Sequence, residues 1–194
     1  MNLVVANLKG GVGKTTTALY LAGASLASGY ERVTLVDADR QASAAEWLDA
    51  SPIEGIESLE APSERTLARA MARRDSMVIV DMPPGDERLM QAALKLADAV
   101  VIPTRVGGVE YAPAVATIAA VGEQAPYGLV VCAARLGTND LEAALAWWRQ
   151  ERMTIWGIVP ERVGIAAGPE ARLYREGLDE YEAVLKRAIR KRPG

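Results

Sequence analysis

Three glycines and two lysines in the segment KGGVGKTT, residues 9–16, restrict the fold of this chain more than any other feature. The segment follows an apolar, β-branched run at residues 3–6 and precedes an alanine-rich stretch that has the composition of a helix. A strand that enters a helix through glycines is typical of α/β folds built on a parallel sheet. We therefore expect the rest of the chain to supply further strands and crossover helices.

Short β-branched runs alternate with helix-forming segments along the chain, as this expectation requires. The runs at residues 77–81 and 99–102 are continuously apolar, which is typical of strands covered on both faces. We predict a doubly wound α/β fold with a mostly parallel sheet and helices on both faces. The predicted strands are 3–6, 32–37, 77–81, 99–102, 128–132 and 154–159, with a loop at 51–62 that holds a short strand at 56–59. The predicted helices are 14–28, 43–48, 64–74, 86–97, 109–122, 140–151, 169–175 and 178–192.

Composition narrows the chemistry that is open to the chain. It has no histidine and one cysteine, Cys132, which excludes Ser-His-Asp and Cys-His catalysis and zinc sites built on histidine or clustered cysteine. Carboxylates, lysines, backbone amides or a bound ion must carry any catalysis. The length of 194 residues fits one domain, 1–194. Because no apolar run is long enough to span a bilayer and the start does not read as a signal peptide, we expect a cytoplasmic protein.

The glycine segment has the sequence and context of a phosphate-binding loop. Glycines let backbone N–H groups turn inward around an anion, and the N-terminus of the following helix adds partial positive charge. Lys14 would reach the β- and γ-phosphates and the Thr15 hydroxyl would ligate Mg²⁺. An ordinary glycine-rich turn with solvated lysines is the alternative. The predicted nucleotide-binding residues here are Gly10, Gly11, Val12, Gly13, Lys14, Thr15 and Thr16.

Several ordered motifs resemble the ParA/MinD family of deviant Walker A P-loop ATPases, and most closely its small ParA-type partition members. The first Gly of the usual P-loop is replaced by Leu8, and the second lysine of the deviant loop is present as Lys9. Arg40 stands where the family usually has proline. The motifs are KGGVGKTT (9–16), VDADRQ (36–41), VIVDMPPG (78–85), IVPER (158–162) and GLDEY (177–181). The resemblance implies a P-loop NTPase fold with ATP and Mg²⁺ as ligands.

Asp37 and Asp81 end predicted strands, at the sheet edge where ligands of open α/β folds bind, and their carboxylates are candidate Mg²⁺ ligands beside Thr15. For a single aspartate in such a place, a helix cap or a turn is the alternative. The resemblance implies that Asp39 orients the attacking water. It also implies that Lys9 reaches across an ATP-dependent homodimer to the partner's phosphates, so that Lys9, Lys14 and Asp39 form the catalytic set.

The base of the nucleotide is expected near the loop that follows the last strand, where Pro160 and Arg162 are the candidate contacts. Residues 133–135 carry no equivalent of the Asn-Arg pair found there in the family, so backbone groups would recognise the base. The resemblance further implies slow hydrolysis, a small activator or adaptor protein, and a task in partition or positioning of DNA or protein cargo.

A basic C-terminal segment is the candidate contact for non-specific DNA. Phosphate contacts of this kind read no sequence and are sensitive to salt. A second row of arginines, at positions 65, 69 and 73, shares one face of a predicted helix and ranks below it. Favourable interaction with a helix C-terminus, or an arginine-rich genome, is the alternative explanation. The DNA-binding candidates are Lys186, Arg187, Arg190, Lys191 and Arg192.

Three other functions remain open at this point. A MinD-like protein would dock its basic amphipathic tail on a membrane, although the last turn lacks large apolar residues that could insert. A P-loop ligase or kinase for a small metabolite would not need Lys9. A non-hydrolysing, nucleotide-gated scaffold would result if Arg40 displaced Asp39.

Overall fold

Seven parallel strands form one sheet in the part of the chain that a computed structural model describes, residues 1–107, 111–166 and 176–191. The continuously apolar runs of the sequence are the strands at its centre, and every residue of those strands is buried. The strands are β1 (Asn2–Val5), β2 (Val33–Asp37), β3 (Ile56–Glu60), β4 (Met77–Asp81), β5 (Ala99–Thr104), β6 (Tyr127–Ala134) and β7 (Ile155–Pro160).

The strand order is β3-β2-β4-β1-β5-β6-β7, and each neighbouring pair is parallel. From the central strand β1 the chain builds one side of the sheet through β2 to β4 and the other side through β5 to β7. The direction of winding therefore reverses at β1, and ligands of open α/β sheets bind in the crevice at the carboxyl ends of strands at such a point. The predicted doubly wound fold is confirmed.

Helices cover both faces of the sheet and divide its core in two. One core lies under α1, α2 and α8, and the other lies under α3, α4, α5 and α6. The helices are α1 (Lys14–Ala27), α2 (Ser43–Ala50), α3 (Glu64–Met71), α4 (Glu87–Leu94), α5 (Tyr111–Val121), α6 (Asn139–Gln150), α7 (Val163–Ala166) and α8 (Leu178–Arg190). Among these described helices none is long and apolar enough to cross a membrane.

The boundaries differ from the predicted ones where neighbouring elements decide them. Residues 56–60 form the edge strand β3, paired with β2 through all five positions, although the sequence reads mainly as a loop there. β5 continues two residues further, through Pro103 and Thr104, because it pairs with β6 up to that point. α3 and α4 end earlier than predicted, at Met71 and Leu94. The predicted helix at 169–175 lies outside the described residues.

Candidate nucleotide site

The phosphate loop leaves β1 at the centre of the sheet, and a buried asparagine sets its first turn. The Asn7 amide donates to the Pro103 carbonyl at 2.8 Å, and its oxygen accepts the Lys9 N–H at 2.9 Å. The next N–H, of Leu8, donates to the Thr117 hydroxyl at 3.1 Å. Asn7 ties the loop to β5, and no predicted role had been given to it. The available signal was a polar side chain that interrupts an apolar run just before the glycines.

Glycines are required at two positions of this loop. Gly11 and Gly13 have φ angles of +72° and +98°, a left-handed conformation that residues with a Cβ rarely adopt. Gly13 is also the N-cap of α1, and the first turn of that helix contains no acidic residue. The N-terminus of α1 therefore presents its N–H groups and positive dipole end to the loop, as an anion-binding site requires.

Lys14 begins α1 and is buried beneath the loop. Its ammonium donates to the Lys9 carbonyl at 2.8 Å, so the side chain bridges the two ends of the glycine segment. Burial lowers the pKa of Lys14, and the charges of Asp81 and Asp39 oppose that shift. These two aspartates therefore favour the charged form of the lysine inside the loop.

Asp81, the last residue of β4, has an unsatisfied acceptor. Its side chain is buried, and the oxygen Oδ1 has no hydrogen-bond partner among the described residues. The Thr15 hydroxyl hydrogen-bonds the same carboxyl group. Burial raises the pKa of Asp81 to about 7, against this hydrogen bond and the charge of Lys14. An orphaned carboxylate oxygen beside a threonine hydroxyl is a donor set that fits Mg²⁺.

Asp37 ends the neighbouring strand β2, and its carboxylate is already occupied by backbone groups. It accepts the N–H groups of Asp39 at 3.0 Å, Ala44 at 2.8 Å and Ala45 at 3.2 Å. The last two belong to the first turn of α2, so Asp37 holds the start of that helix. Burial raises its pKa while these backbone bonds lower it. Its part in metal binding stays a prediction, and its structural part is visible.

Asp39 lies half-buried on the wall of the same crevice. Its carboxylate accepts the Gln41 N–H at 3.0 Å, which fixes the turn between β2 and α2. Arg40 is exposed next to it. Asp39 thus keeps a defined place near Lys14 although the family's proline is absent.

A cavity of about 490 Å³ opens above these residues and has the size of a small-ligand pocket. It collects the predicted loop residues, Asp39, and the base-side candidates Pro160 and Arg162 along one surface. Asp37 and Asp81 lie behind this surface, at the ends of their strands. The predicted contacts that line the cavity are Gly10, Gly11, Val12, Gly13, Lys14, Thr15, Thr16, Asp39, Pro160 and Arg162.

The floor of the cavity joins α1 to α8 through polar side chains. The Thr17 hydroxyl lies 3.3 Å from the Tyr181 hydroxyl and 3.6 Å from the Cys132 sulfur. Burial raises the pKa of both the Cys132 thiol and the Tyr181 hydroxyl, so both stay protonated at neutral pH. Tyr181 also packs on Tyr20, with ring centroids 5.1 Å apart.

No cage for a metal ion is made by the protein alone in the described ranges. Groups of three or more aspartate, glutamate or cysteine side chains that could hold an ion do not occur there. A cation beside Thr15 and Asp81 would complete its shell with water and phosphate oxygens, which is the usual arrangement for Mg²⁺ at nucleotide sites.

The DNA-binding candidates lie at the far end of α8, about 20 Å along the helix from its N-terminus. Lys186 pairs with Glu182 at 3.5 Å, and the Arg187 guanidinium donates to the Trp156 carbonyl. Arg190 and Lys191 are exposed. Arg192 lies outside the described residues. Two of the four described cations are therefore engaged within the chain.

The arginine row on α3 is interrupted. Arg65 and Arg69 are exposed, but Arg73 forms ion pairs with Glu57 at 2.9 Å and with Asp75 at 3.4 Å. Arg73 thereby ties the end of α3 to the edge strand β3 and contributes no free charge to the row.

A comparison with protein families matches residues 3–186 to the CobQ/CobB/MinD/ParA nucleotide binding domain. The chain is 30% identical over 187 residues to the maintenance of carboxysome distribution protein A of Gloeobacter kilaueensis, covering 95% of this chain and 76% of that protein. It is 30% identical to the chromosome-partitioning ATPase Soj of Thermus thermophilus, covering 86% of this chain and 84% of Soj. A plasmid partition protein of Borrelia burgdorferi bound to AMPPNP superimposes with a TM-score of 0.79 at 17% identity, with 98% of both chains covered.

Proposed function

This chain belongs to the CobQ/CobB/MinD/ParA nucleotide-binding family, and we propose that it is a Mg²⁺-dependent ATPase that partitions or positions DNA or protein cargo. ATP would drive its dimerisation, and the dimer would bind DNA without sequence preference. We also propose that residues 1–194 act as one domain, because one sheet runs through the described chain. The names of its relatives, among them a partitioning ATPase and a carboxysome-distribution protein, support the positioning task.

The orphaned oxygen of Asp81 carries the proposal. A buried acceptor without a partner costs about 1–3 kcal/mol, and here it lies beside Thr15 and Lys14 at the carboxyl edge of the sheet. A phosphate loop alone would explain the glycines and Lys14 but not this oxygen. Mg²⁺, when bound, would neutralise charge on the β- and γ-phosphates. Thr15 and Asp81 would hold it from the protein side.

Lys9 supports the proposed dimer. Its backbone N–H is fixed by Asn7 and its carbonyl by Lys14, so the start of its side chain has a defined direction at the loop. In the proposed dimer the ammonium would contact the partner's phosphates, where positive charge stabilises the transition state of phosphoryl transfer. Asp39, fixed by the Gln41 N–H, would orient the attacking water.

The packing of α8 favours DNA over a membrane as the second ligand. Its apolar side chains are buried against the sheet, so they are not available to insert into lipid. The exposed cations at its end, Arg190 and Lys191, would contact phosphates. A small activator protein would raise the slow intrinsic rate by ordering the site.

Phosphate release measured with and without DNA tests the proposal. We expect slow Mg²⁺-dependent hydrolysis of ATP that needs no metabolite, together with ATP-dependent dimerisation in light scattering. Lys9→Ala should abolish both hydrolysis and dimerisation. Lys95→Ala, which changes an exposed lysine at the end of α4, is the matched control and should leave both intact.

Two outcomes would refute the proposal. Hydrolysis that depends on an added small metabolite and survives Lys9→Ala would indicate a ligase or kinase. ATP binding without any phosphate release, with or without DNA, would indicate a scaffold. Retention on DNA across a salt series, with residues 186–192 neutralised, tests the tail separately, and unchanged retention would exclude it.

A further inference from the structure

Arg105 lies on the wall of the nucleotide cavity, and no sequence motif indicates a role for it. It directly follows β5, whose last residue Thr104 pairs in register with Val131 of β6. On its other side β5 pairs with β1, the strand that leads into the phosphate loop. Arg105 therefore stands between the phosphate loop and the loop that follows β6.

Arg105 differs from the other arginines around the cavity in what it contacts. Arg162 forms an ion pair with Glu180, and Arg135 forms one with Glu161 at 2.8 Å. Arg105 is exposed, and no carboxylate among the described residues lies within ion-pair distance of it. An arginine on a cavity wall that has no internal partner is available to a ligand.

The electrostatic influence of Arg105 falls on the side of the cavity opposite the metal candidates. The hydrogen bond from Arg135 is the main cause of the lowered pKa of Glu161, and the charge of Arg105 adds to it. Burial raises the pKa of Cys132, and Arg105 opposes that shift. With phosphates in the glycine loop, the nucleoside would occupy this β6 and β7 side.

We propose that the Arg105 guanidinium packs on the purine ring of the bound nucleotide and favours purine over pyrimidine nucleotides. The inference rests on the proposed function, which supplies the nucleotide. A planar guanidinium stacks on aromatic faces, and the two-ring purine offers a larger face than a pyrimidine. Arg105 would thus give base preference to a site whose other base-side arginines are bound to carboxylates.

Calorimetric titration with ADP and with CDP, each in excess Mg²⁺, tests this inference without turnover. Arg105→Ala should weaken ADP binding by about 2- to 30-fold, the range of a cation–π contact, and CDP binding by less than about twofold. Arg135→Ala, which removes an exposed arginine that is paired with Glu161, is the matched control and should change neither affinity. Arg105→Lys keeps the charge without the plane and should lose most of the purine preference.

The remaining results have distinct meanings. Equal losses for ADP and CDP would place Arg105 on the phosphates or ribose and overturn the inference, as would unchanged ADP affinity or a wild type without purine preference. A wild type that binds neither ADP nor ATP would instead refute the proposed function. Because Arg105 is exposed, both variants should fold, and a thermal melt within a few degrees of wild type would verify that.

Discussion

Two buried aspartates end neighbouring strands of the sheet, yet their surroundings differ. Asp37 and Asp81 pair in register across β2 and β4. Asp37 accepts three backbone N–H groups and holds the start of α2, whereas Asp81 keeps one oxygen without a partner beside Thr15. Burial raises the pKa of both, and that of Asp81 reaches about 7.

The comparison separates a carboxylate used to build the fold from one kept available to a ligand. Backbone donors around Asp37 compensate for the loss of water, so its charge stabilises α2. Around Asp81 the compensation is incomplete, which is unfavourable in the free protein and favourable once a cation arrives. Four predictions test this division, beginning with the one of largest effect.

Asp81→Asn should remove most of the catalytic activity while the protein stays folded. The amide is neutral and would hold the cation poorly, and metal stabilisation of transition-state charge is worth several kcal/mol. We expect Mg²⁺-dependent phosphate release to fall by about 100-fold or more. Asp86→Asn, at the N-cap of α4, is a control outside the cavity. Activity within a few-fold of wild type in Asp81→Asn would refute the assignment.

Asp37→Ala should reduce stability rather than act mainly on the metal. It leaves the buried N–H groups of Ala44 and Ala45 without their acceptor, and each such loss costs about 1–3 kcal/mol. We expect the free energy of unfolding in urea to fall by about 3 kcal/mol. Asp49→Ala changes an exposed aspartate of the same helix and should have almost no effect. A loss no larger than in that control would show that Asp37 does not support α2.

The sequence indicated the elements of this site much better than their division of labour. The glycines and lysines of the loop are local signals, since backbone conformation and helix start depend on adjacent residues. Asp37 and Asp81 each follow an apolar strand, and nothing local distinguishes them. The difference arises because α2 begins where its N–H groups reach Asp37, while α1 places Thr15 beside Asp81. The edge strand β3 was equally hidden, since its pairing with β2 defines it.

The tail shows the same limit from the other side. The sequence located the cations of α8, but the contact of Arg187 with the Trp156 carbonyl depends on β7 lying beside that helix. Arg105 carries no motif, and its place on the cavity wall follows from the pairing of β5 with β6. Contacts between distant segments therefore decide which charges remain available.

Asp81→Asn should also change how stability depends on pH in the absence of Mg²⁺. The pKa of Asp81 is about 7 in the folded protein and near 3.8 when unfolded, so between these values the folded state binds more protons. The unfolding free energy therefore decreases as pH rises through this window and levels off above it. Asp81→Asn lacks this contribution, and at pH 8 we expect it to be more stable than wild type by about 1–2 kcal/mol.

Urea unfolding of the metal-free protein at pH 5 and pH 8 measures this difference. The advantage of Asp81→Asn should be much smaller at pH 5, where wild-type Asp81 is protonated. Asp75 and Glu161, whose lowered pKa values arise chiefly from hydrogen bonds with Arg73 and Arg135, act below this window and with the opposite sign. Equal stability of the two proteins at both pH values would contradict the burial of an incompletely compensated charge at Asp81.

The smallest effect should link the two aspartates. The charge of Asp37 raises the pKa of Asp81, a smaller contribution than burial. Asp37→Asn removes that charge and keeps one oxygen as an acceptor for α2, so it should cost less stability than Asp37→Ala. We expect the Asp81 carboxyl carbon to titrate in the NMR spectrum at a pH lower than in wild type by less than about one unit, or 1.4 kcal/mol. Asp49→Asn should leave the midpoint in place. A midpoint that rises in Asp37→Asn would mean that the backbone around α2 has moved, because removal of a neighbouring negative charge alone favours the ionised form of Asp81.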